Sequence, residues 1–193
     1  MNTQRRQIKF LERKEVNTLI RTIGTEKPRD LRDRALLEVL FSTGMRIHEA
    51  LKLPRLDFYN PKLEGWGMGT KMVTKEMTII GKGGWQRVVF FSPEAMEAVR
   101  AWVMAREDED DMLFPITSRC AQLMIKRRAK DAGIEKRVTP HILRHSLATD
   151  LLRNGVDIRF VSEFLGHRSL NNTLIYTHVV NEQLRSIHKK LYK

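Results

Sequence analysis

The apolar positions near the start of the chain recur every three or four residues, which is the period of an α-helix. They predict three helices, which span residues 10–24, 29–44 and 46–53. Gly44 is expected to end the second helix, because glycine readily adopts the left-handed conformation that closes helices. Arg46 therefore lies at a tight junction between two helices, where backbone amides face outward.

The pattern then changes to one that is typical of strands. Two β-type runs, residues 75–80 and 85–91, flank a glycine-rich turn, which predicts a hairpin with Lys82 at its tip. The preceding stretch, residues 60–71, mixes turn formers and aromatic residues. It is interpreted as an extra turn, an extra strand or a DNA-facing loop.

Helical periodicity returns after the hairpin and continues to the end of the chain. It predicts helices within residues 93–107, 118–133, 139–155, 157–166, 169–179 and 181–193. Ser118 and Thr139 are expected to cap two of them. The predicted fold is mainly α with a small antiparallel β-sheet (α+β), in one domain of residues 10–193 after a flexible lead-in of residues 1–9.

Charge narrows the range of partners. The 193 residues include 35 Lys and Arg against 23 Asp and Glu, a net charge of +12. This excess favours a polyanionic partner, with nucleic acid first. The basic run Lys126, Arg127, Arg128 and Lys130 is compatible with either a solvated face or a DNA-facing stripe.

The cysteine content and hydropathy exclude several classes. The single cysteine, Cys120, excludes an internal disulfide and a cysteine-rich zinc site, and it fits a reducing compartment. Its place in a helical pattern predicts a small buried side chain. The sequence contains neither a secretory signal nor an apolar run near the ~20 residues of a membrane span, so the expected location is cytoplasmic.

Candidate chemistry concentrates in the last third of the chain. His141 and Arg144 lie three residues apart at a predicted helix start, His167 follows a glycine, and Tyr176 comes nine residues later. Arginine binds phosphate oxygens with a planar fork, and tyrosine can form a reversible covalent ester. The sequence lacks HExxH and the phosphate-binding GxxxxGK[ST] motif, so neither a metal nor a cofactor is expected.

Four motifs in order resemble those of the tyrosine recombinases, or phage integrases. The motifs are TGMRIHEALxL (Thr43–Leu53), IGKGGxxRxV (Ile80–Val89), TPHxLRHSxAT (Thr139–Thr149) and LGHxSxxxTxxYTH (Leu165–His178). The resemblance runs through most of the chain and implies the catalytic-domain fold of that family. It also implies site-specific cleavage and rejoining of double-stranded DNA through a covalent 3′-phosphotyrosine.

The resemblance assigns roles to individual residues. Tyr176 would attack the scissile phosphate, Arg46 and Arg144 would clamp its non-bridging oxygens, and Lys82 would protonate the 5′-oxygen. The lysine assignment competes with Lys71 and Lys75.

Three more residues complete the implied site. His141 would help accept the tyrosine proton, and His167 would hydrogen-bond the phosphate. Glu49 would support the site as a carboxylate that orients it. His145 does not fit the spacing and is expected to be structural.

Several points stay open. A type IB topoisomerase-like enzyme would use the same chemistry without strand exchange, and a non-catalytic DNA-binding relic is the other alternative. The chain is expected to lack the N-terminal core-binding domain of the family. Its C-terminal segment is amphipathic, and the resemblance implies that such a helix docks on a neighbouring protomer in a homo-tetramer on DNA. The target sequence and the biological setting are undetermined.

Overall fold

The computed structural model describes residues 10–60, 65–66, 75–81 and 84–166. Within them the helices are α1 (Arg13–Arg21), α2 (Pro28–Thr43), α3 (Ile47–Ala50), α4 (Pro93–Ala105), α5 (Ser118–Asp131), α6 (Pro140–Arg153) and α7 (Ile158–Leu165). The strands are β1 (Tyr59–Asn60), β2 (Gly65–Trp66), β3 (Lys75–Ile80) and β4 (Gln86–Phe91). The mainly helical prediction with a small antiparallel sheet is confirmed. In this described part, no helix combines the length and the apolar character that crossing a membrane requires.

Helix α2 lies at the centre of the fold. It contacts α1, α3, α4, α5, α6 and strand β4. Its apolar side chains point in every direction around its axis, which is typical of a helix buried on all sides. Because α2 is fixed by so many neighbours, the turn that follows it is fixed as well.

One charged group is buried in this central helix. The Asp33 side chain is fully buried and accepts from Arg32 Nη2 at 2.6 Å and from Arg128 Nη2 at 2.7 Å. Arg128 also pairs with Asp30. Burial of a carboxylate is tolerable here because it is multiply paired.

This pairing corrects part of the basic-run hypothesis. Arg128 is held against α2 and cannot belong to a DNA-facing stripe, whereas Lys126, Arg127 and Lys130 are exposed. The sequence run therefore divides into one largely buried structural arginine, Arg128, and three exposed cations, of which Arg127 also reaches Asp33 at 3.5 Å.

The start of α5 differs from the sequence prediction in two ways. The cap is Thr117, whose hydroxyl accepts from the Cys120 amide at 3.2 Å, and Ser118 is already helical. Cys120 is exposed, so the prediction of a buried side chain is wrong. The buried face of α5 is formed by Ala121, Met124, Ile125 and Ala129. Cys120 precedes this face by one residue and turns away from it.

The two strand pairs are separate ladders. Strands β3 and β4 pair antiparallel from Lys75↔Phe91 to Ile80↔Gln86, as the hairpin prediction requires. Strands β1 and β2 form a second two-stranded ladder, so the 60–71 stretch includes a short strand that does not join the hairpin. In β4 the side chains of Arg87, Val89 and Phe91 face inward, and Gln86, Val88 and Phe90 face outward.

Helices α6 and α7 carry the C-terminal part of the described chain. A small apolar cluster joins them, formed by Ala148, Leu152, Val161 and Leu165. Near the start of the chain, the Leu11 amide donates to Ser146 Oγ on α6 at 2.8 Å. The end of α7 lies beside the turn that follows α2, since the Leu165 side chain packs against Gly44.

Candidate active site

The turn after α2 places Arg46. Gly44 ends α2 with a φ of +60°, and Arg46 is the residue that precedes α3. A Cβ at Gly44 would lie 2.8 Å from Leu165 Cδ2 and 3.1 Å from Leu147 Cδ2. The close approach of α6 and α7 therefore requires glycine at this position, in addition to its left-handed backbone.

Glu49 is the fixed anion of the site. It is 6% exposed, and it accepts from the Arg46 backbone amide at 2.8 Å and from Arg46 Nη1 at 3.0 Å. Its two oxygens also accept from Arg87, Oε1 from Nη1 at 3.2 Å and Oε2 from Nη2 at 2.7 Å. One carboxylate thus holds two guanidinium groups.

The charge of Glu49 follows from this environment. Burial raises the pKa of the Glu49 carboxyl, but the hydrogen bonds and charge of Arg87, together with the bonds from Arg46, outweigh it and lower the pKa to about 2. The group is therefore ionised at neutral pH. This result supports the orienting role that the family resemblance implies for Glu49.

Arg144 joins two backbone segments next to this pair. The Thr139 hydroxyl caps α6 by accepting from the Ile142 amide at 3.2 Å, as predicted. Arg144, 6% exposed, donates from Nη1 to the Gly44 carbonyl and from Nη2 to the Leu165 carbonyl. Its guanidinium therefore lies between the turn that carries Arg46 and the end of α7.

His141 and His145 differ in their surroundings. His141 is exposed in the first turn of α6, whereas Arg144, three residues on, is buried. His145 is buried, and its ring meets Phe10 edge-on with centroids 6.2 Å apart. Burial against an aromatic ring agrees with a structural role for His145.

The hairpin approaches the same place. The Gly81 amide donates to the Trp85 carbonyl at 2.7 Å, which closes the loop at the tip. The Cβ position of Gly81 is 3.5 Å from Glu49 Oε1. Residue 82 therefore follows directly after a residue in contact with the Arg46–Glu49 pair.

The structure thus gathers part of the predicted set. Arg46 and Glu49 are bonded, and Arg144 binds the carbonyl two residues before Arg46. Lys82, His167 and Tyr176 lie outside the described residues, as does the competing Lys71. The described residues that precede Lys82 and His167, Gly81 and Gly166, both lie against Arg87.

A cavity of about 1210 Å³ opens beside these groups. Its lining includes the charged residues Arg46, Arg87 and Glu163, and its apolar wall is formed by Val88, Phe90, Val156, Phe160 and Phe164. Arg46 is 27% exposed at its side chain, so one cation faces the cavity while its partner carboxylate is covered. An arginine held in this way can bind a phosphate-sized anion.

Arg87 was not predicted as a site residue from the sequence. A signal was present, because Arg87 shares the inward face of β4 with the buried Val89 and Phe91. A charged residue in phase with two buried apolar residues must have a buried partner. The alternation of the strand indicates this pairing before any contact is known.

A partly exposed arginine beside buried, charge-paired groups is compatible with an anionic ligand, and comparison with known proteins specifies the family. The sequence profile described as "Phage integrase family" matches residues 9–183, so this chain belongs to that family.

Individual relatives agree with this assignment. The chain is 39% identical over 171 residues to a protein named tyrosine recombinase XerD from Corynebacterium glutamicum, covering 83% of this chain and 52% of that one. Among solved structures, XerA recombinase is similar with a TM-score of 0.73 at 29% identity, covering 99% of this chain and 68% of that one. The XerH recombinase bound to palindromic difH substrate, in its post-cleavage complex, gives a TM-score of 0.76 at 27% identity, covering 100% of this chain and 56% of that one. The chain spans about half to three fifths of the length of the XerD relatives that it matches.

Proposed function

We propose that this chain is the catalytic unit of a site-specific DNA recombinase that breaks and rejoins strands through a transient bond to Tyr176. The observation that carries the proposal is the convergence of Arg46, Glu49 and Arg144, with the hairpin turn at Gly81 beside Glu49. Membership of the Phage integrase family supports the same reaction.

The proposed reaction is a pair of transesterifications. Tyr176 Oη attacks phosphorus, its proton passes to His141, and a 3′-phosphotyrosine forms as the bond to the 5′-oxygen breaks. Lys82 donates a proton to that oxygen, which leaves as a 5′-hydroxyl. A 5′-hydroxyl of the partner duplex then attacks the phosphotyrosine and releases Tyr176, and no metal or cofactor is consumed.

The arginines stabilise the charge of the transition state. Arg46 and Arg144 bind the non-bridging oxygens and His167 adds a hydrogen bond. Removal of one charge-stabilising group typically costs about 10²-fold in rate. Arg46→Ala is the sharper test because Arg46 is partly exposed, whereas the buried Arg144 also holds two backbone carbonyls.

Double-stranded DNA is the proposed partner. The net charge of +12 and the exposed cations Lys126, Arg127 and Lys130 on α5 support it. Loss of affinity between low and physiological salt should be steep, because counterions are released on binding. The single cysteine fits a reducing compartment, and we place this activity in the cytoplasm.

Covalent trapping tests the function directly. A suicide substrate nicked close to the cleavage point loses its leaving strand, so an active chain remains bound through a denaturant-stable link. The wild-type chain should form this adduct, and Tyr176→Phe should bind the DNA and form none. An adduct with Tyr176→Phe would contradict the nucleophile assignment.

Strand exchange separates the recombinase from the topoisomerase-like alternative. Two duplexes that each carry the mapped cleavage site are incubated together, and the same preparation is given a supercoiled plasmid. Recombinant joints support the recombinase. Relaxation of the plasmid without recombinant joints would support the alternative.

We further propose that four copies assemble on DNA, two active and two inactive, through the segment after Tyr176. That segment has Leu184, Ile187 and Leu191 in helical register. The apolar wall of the cavity offers a surface for it, since Phe160 is 66% exposed and Phe90 is 45% exposed.

Assembly on a full recombination site can be followed by sedimentation. Phe160→Glu should prevent the tetramer, because it introduces a charge into the apolar wall. Met104→Glu is the matched control, since Met104 is 64% exposed on α4 and does not line the cavity. Equal assembly by both variants would contradict the proposed surface.

A further inference from the structure

Arg87 occupies an unusual position for a charged residue. Its side chain is 9% exposed, and its two Nη atoms bond both oxygens of Glu49. That carboxylate also binds the backbone and side chain of Arg46. Arg87 is therefore linked through the Glu49 carboxylate to Arg46, which faces the cavity.

Two glycines make room for this side chain. A Cβ at Gly166 would lie 2.9 Å from Arg87 Cδ, and one at Gly81 would lie 3.3 Å from Arg87 Nη1. Gly166 also has a φ of +64°, which a side chain rarely adopts. Each of these glycines directly precedes a residue with a proposed catalytic role, Lys82 or His167.

We infer that Arg87 is a positioning residue, which sets the relative placement of Arg46, the hairpin tip and the end of α7. Arg87 acts on Arg46 through Glu49. It acts on the hairpin tip through contact with Gly81, and on the end of α7 through contact with Gly166. This role rests on the proposed function, because it matters only if those three segments carry the reacting groups.

The geometry separates this role from simple charge pairing. A guanidinium can bond two carboxylate oxygens at once in a fixed plane, whereas an ammonium group acts as a point charge. Arg87→Lys keeps the positive charge beside Glu49 but loses the planar fork. Displacement of a reacting group by about 1 Å can cost about 10²-fold in rate.

The chain offers a matched control for the substitution. Arg128 is also buried, with a side chain 13% exposed, and it is also paired with carboxylates, those of Asp30 and Asp33 on α2. Arg128→Lys therefore tests loss of an equivalent buried ion pair at a different place in the fold. Thermal unfolding of both variants establishes the temperature at which each is fully folded.

The measurement is single-turnover formation of the covalent adduct on the nicked suicide substrate, with DNA affinity measured separately. With saturating DNA, Arg87→Lys should form the adduct about 10²-fold more slowly than wild type, with an unchanged Kd. Arg128→Lys should cleave within about threefold of wild type. Wild-type rates for Arg87→Lys, or an equal loss in Arg128→Lys, would overturn the positioning role.

A second pair of variants applies if Arg87→Lys does not fold. Gly166→Ala places a methyl group against Arg87. Gly133→Ala is its control, because Gly133 has a similar φ of +68° and a Cβ there would meet nothing within 4 Å. Slow cleavage confined to Gly166→Ala supports the inference, and equal rates overturn it. A wild-type chain that forms no adduct overturns the proposed function and this role together, so the two failures are distinguishable.

Discussion

The turn at Gly44 provides a quantitative test of how the site is built. Gly44→Ala introduces two separate costs. The first is the left-handed backbone, which costs a residue with a side chain about 1–2 kcal/mol. The second is the overlap of the new methyl group with Leu165 and Leu147, at 2.8 and 3.1 Å. Overpacking of this kind costs about 1–3 kcal/mol, so the sum is about 2–5 kcal/mol.

Gly133→Ala isolates the first of these costs. Gly133 has a φ of +68° at the end of α5, and a Cβ there meets nothing within 4 Å. It should lose only about 1–2 kcal/mol, so the difference between the two variants measures the packing of α6 and α7 against the turn. Urea unfolding followed by circular dichroism gives both values.

Adduct formation extends this test to the site. The Gly44 carbonyl and the Leu165 carbonyl both accept from Arg144. The new methyl group overlaps the Leu165 side chain, so relief of that overlap would move the two residues that hold Arg144. Gly44→Ala should therefore slow cleavage under conditions where it is folded, and Gly133→Ala should not. Equal losses of stability by the two variants would refute the reasoning, because Leu165 and Leu147 would then yield without cost.

Three further predictions concern stability. Asp33→Asn should cost about 3–5 kcal/mol in urea unfolding, because it removes the fully buried carboxylate that pairs with Arg32 and Arg128. The control Asp30→Asn should cost less, since the Asp30 side chain is 20% exposed, and similar losses would contradict this. The pKa of Glu49 is lowered from 4.5 to about 2, so its ionisation stabilises the folded state fully above about pH 5, and this stabilisation is lost as the pH falls toward 2. The stabilisation amounts to roughly 3 kcal/mol. The difference in free energy of unfolding between wild type and Glu49→Gln should therefore shrink over that pH range. Thr117→Ala should lower the free energy of unfolding by about 1 kcal/mol, because Thr117 caps α5, and Ser118→Ala should leave it almost unchanged. Equal losses for the two variants would contradict the assignment of Thr117 as the cap.

Local signals in the sequence predicted the elements of this fold well. The cap at Thr139 and the helix end at Gly44 depend only on residues a few positions away, so the sequence alone predicts them. The hairpin was predicted for the same reason, since alternation and a glycine-rich turn are local features. The wrong prediction for Cys120 followed from its place in a helical pattern alone, without determining which face of α5 it occupies.

Partners far apart in the chain could not be predicted in the same way. Arg128 belongs to a basic run, and only the packing of α5 on α2 brings it to Asp33, 95 residues away. The Arg87–Glu49 pair likewise joins residues 38 positions apart. No local rule chooses which of many carboxylates a given arginine will reach.

The alternation of side chains along β4 limits which carboxylates Arg87 can reach. A charged side chain on the inward face of β4 requires a buried anion, and Glu49 is the buried carboxylate that receives it. Because the same anion orients Arg46, the hairpin and the arginine turn cannot shift independently. The proposed catalytic residues come from distant segments of the chain. In the described part, the Arg46–Glu49–Arg87 contacts link two of these segments, the turn after α2 and the hairpin.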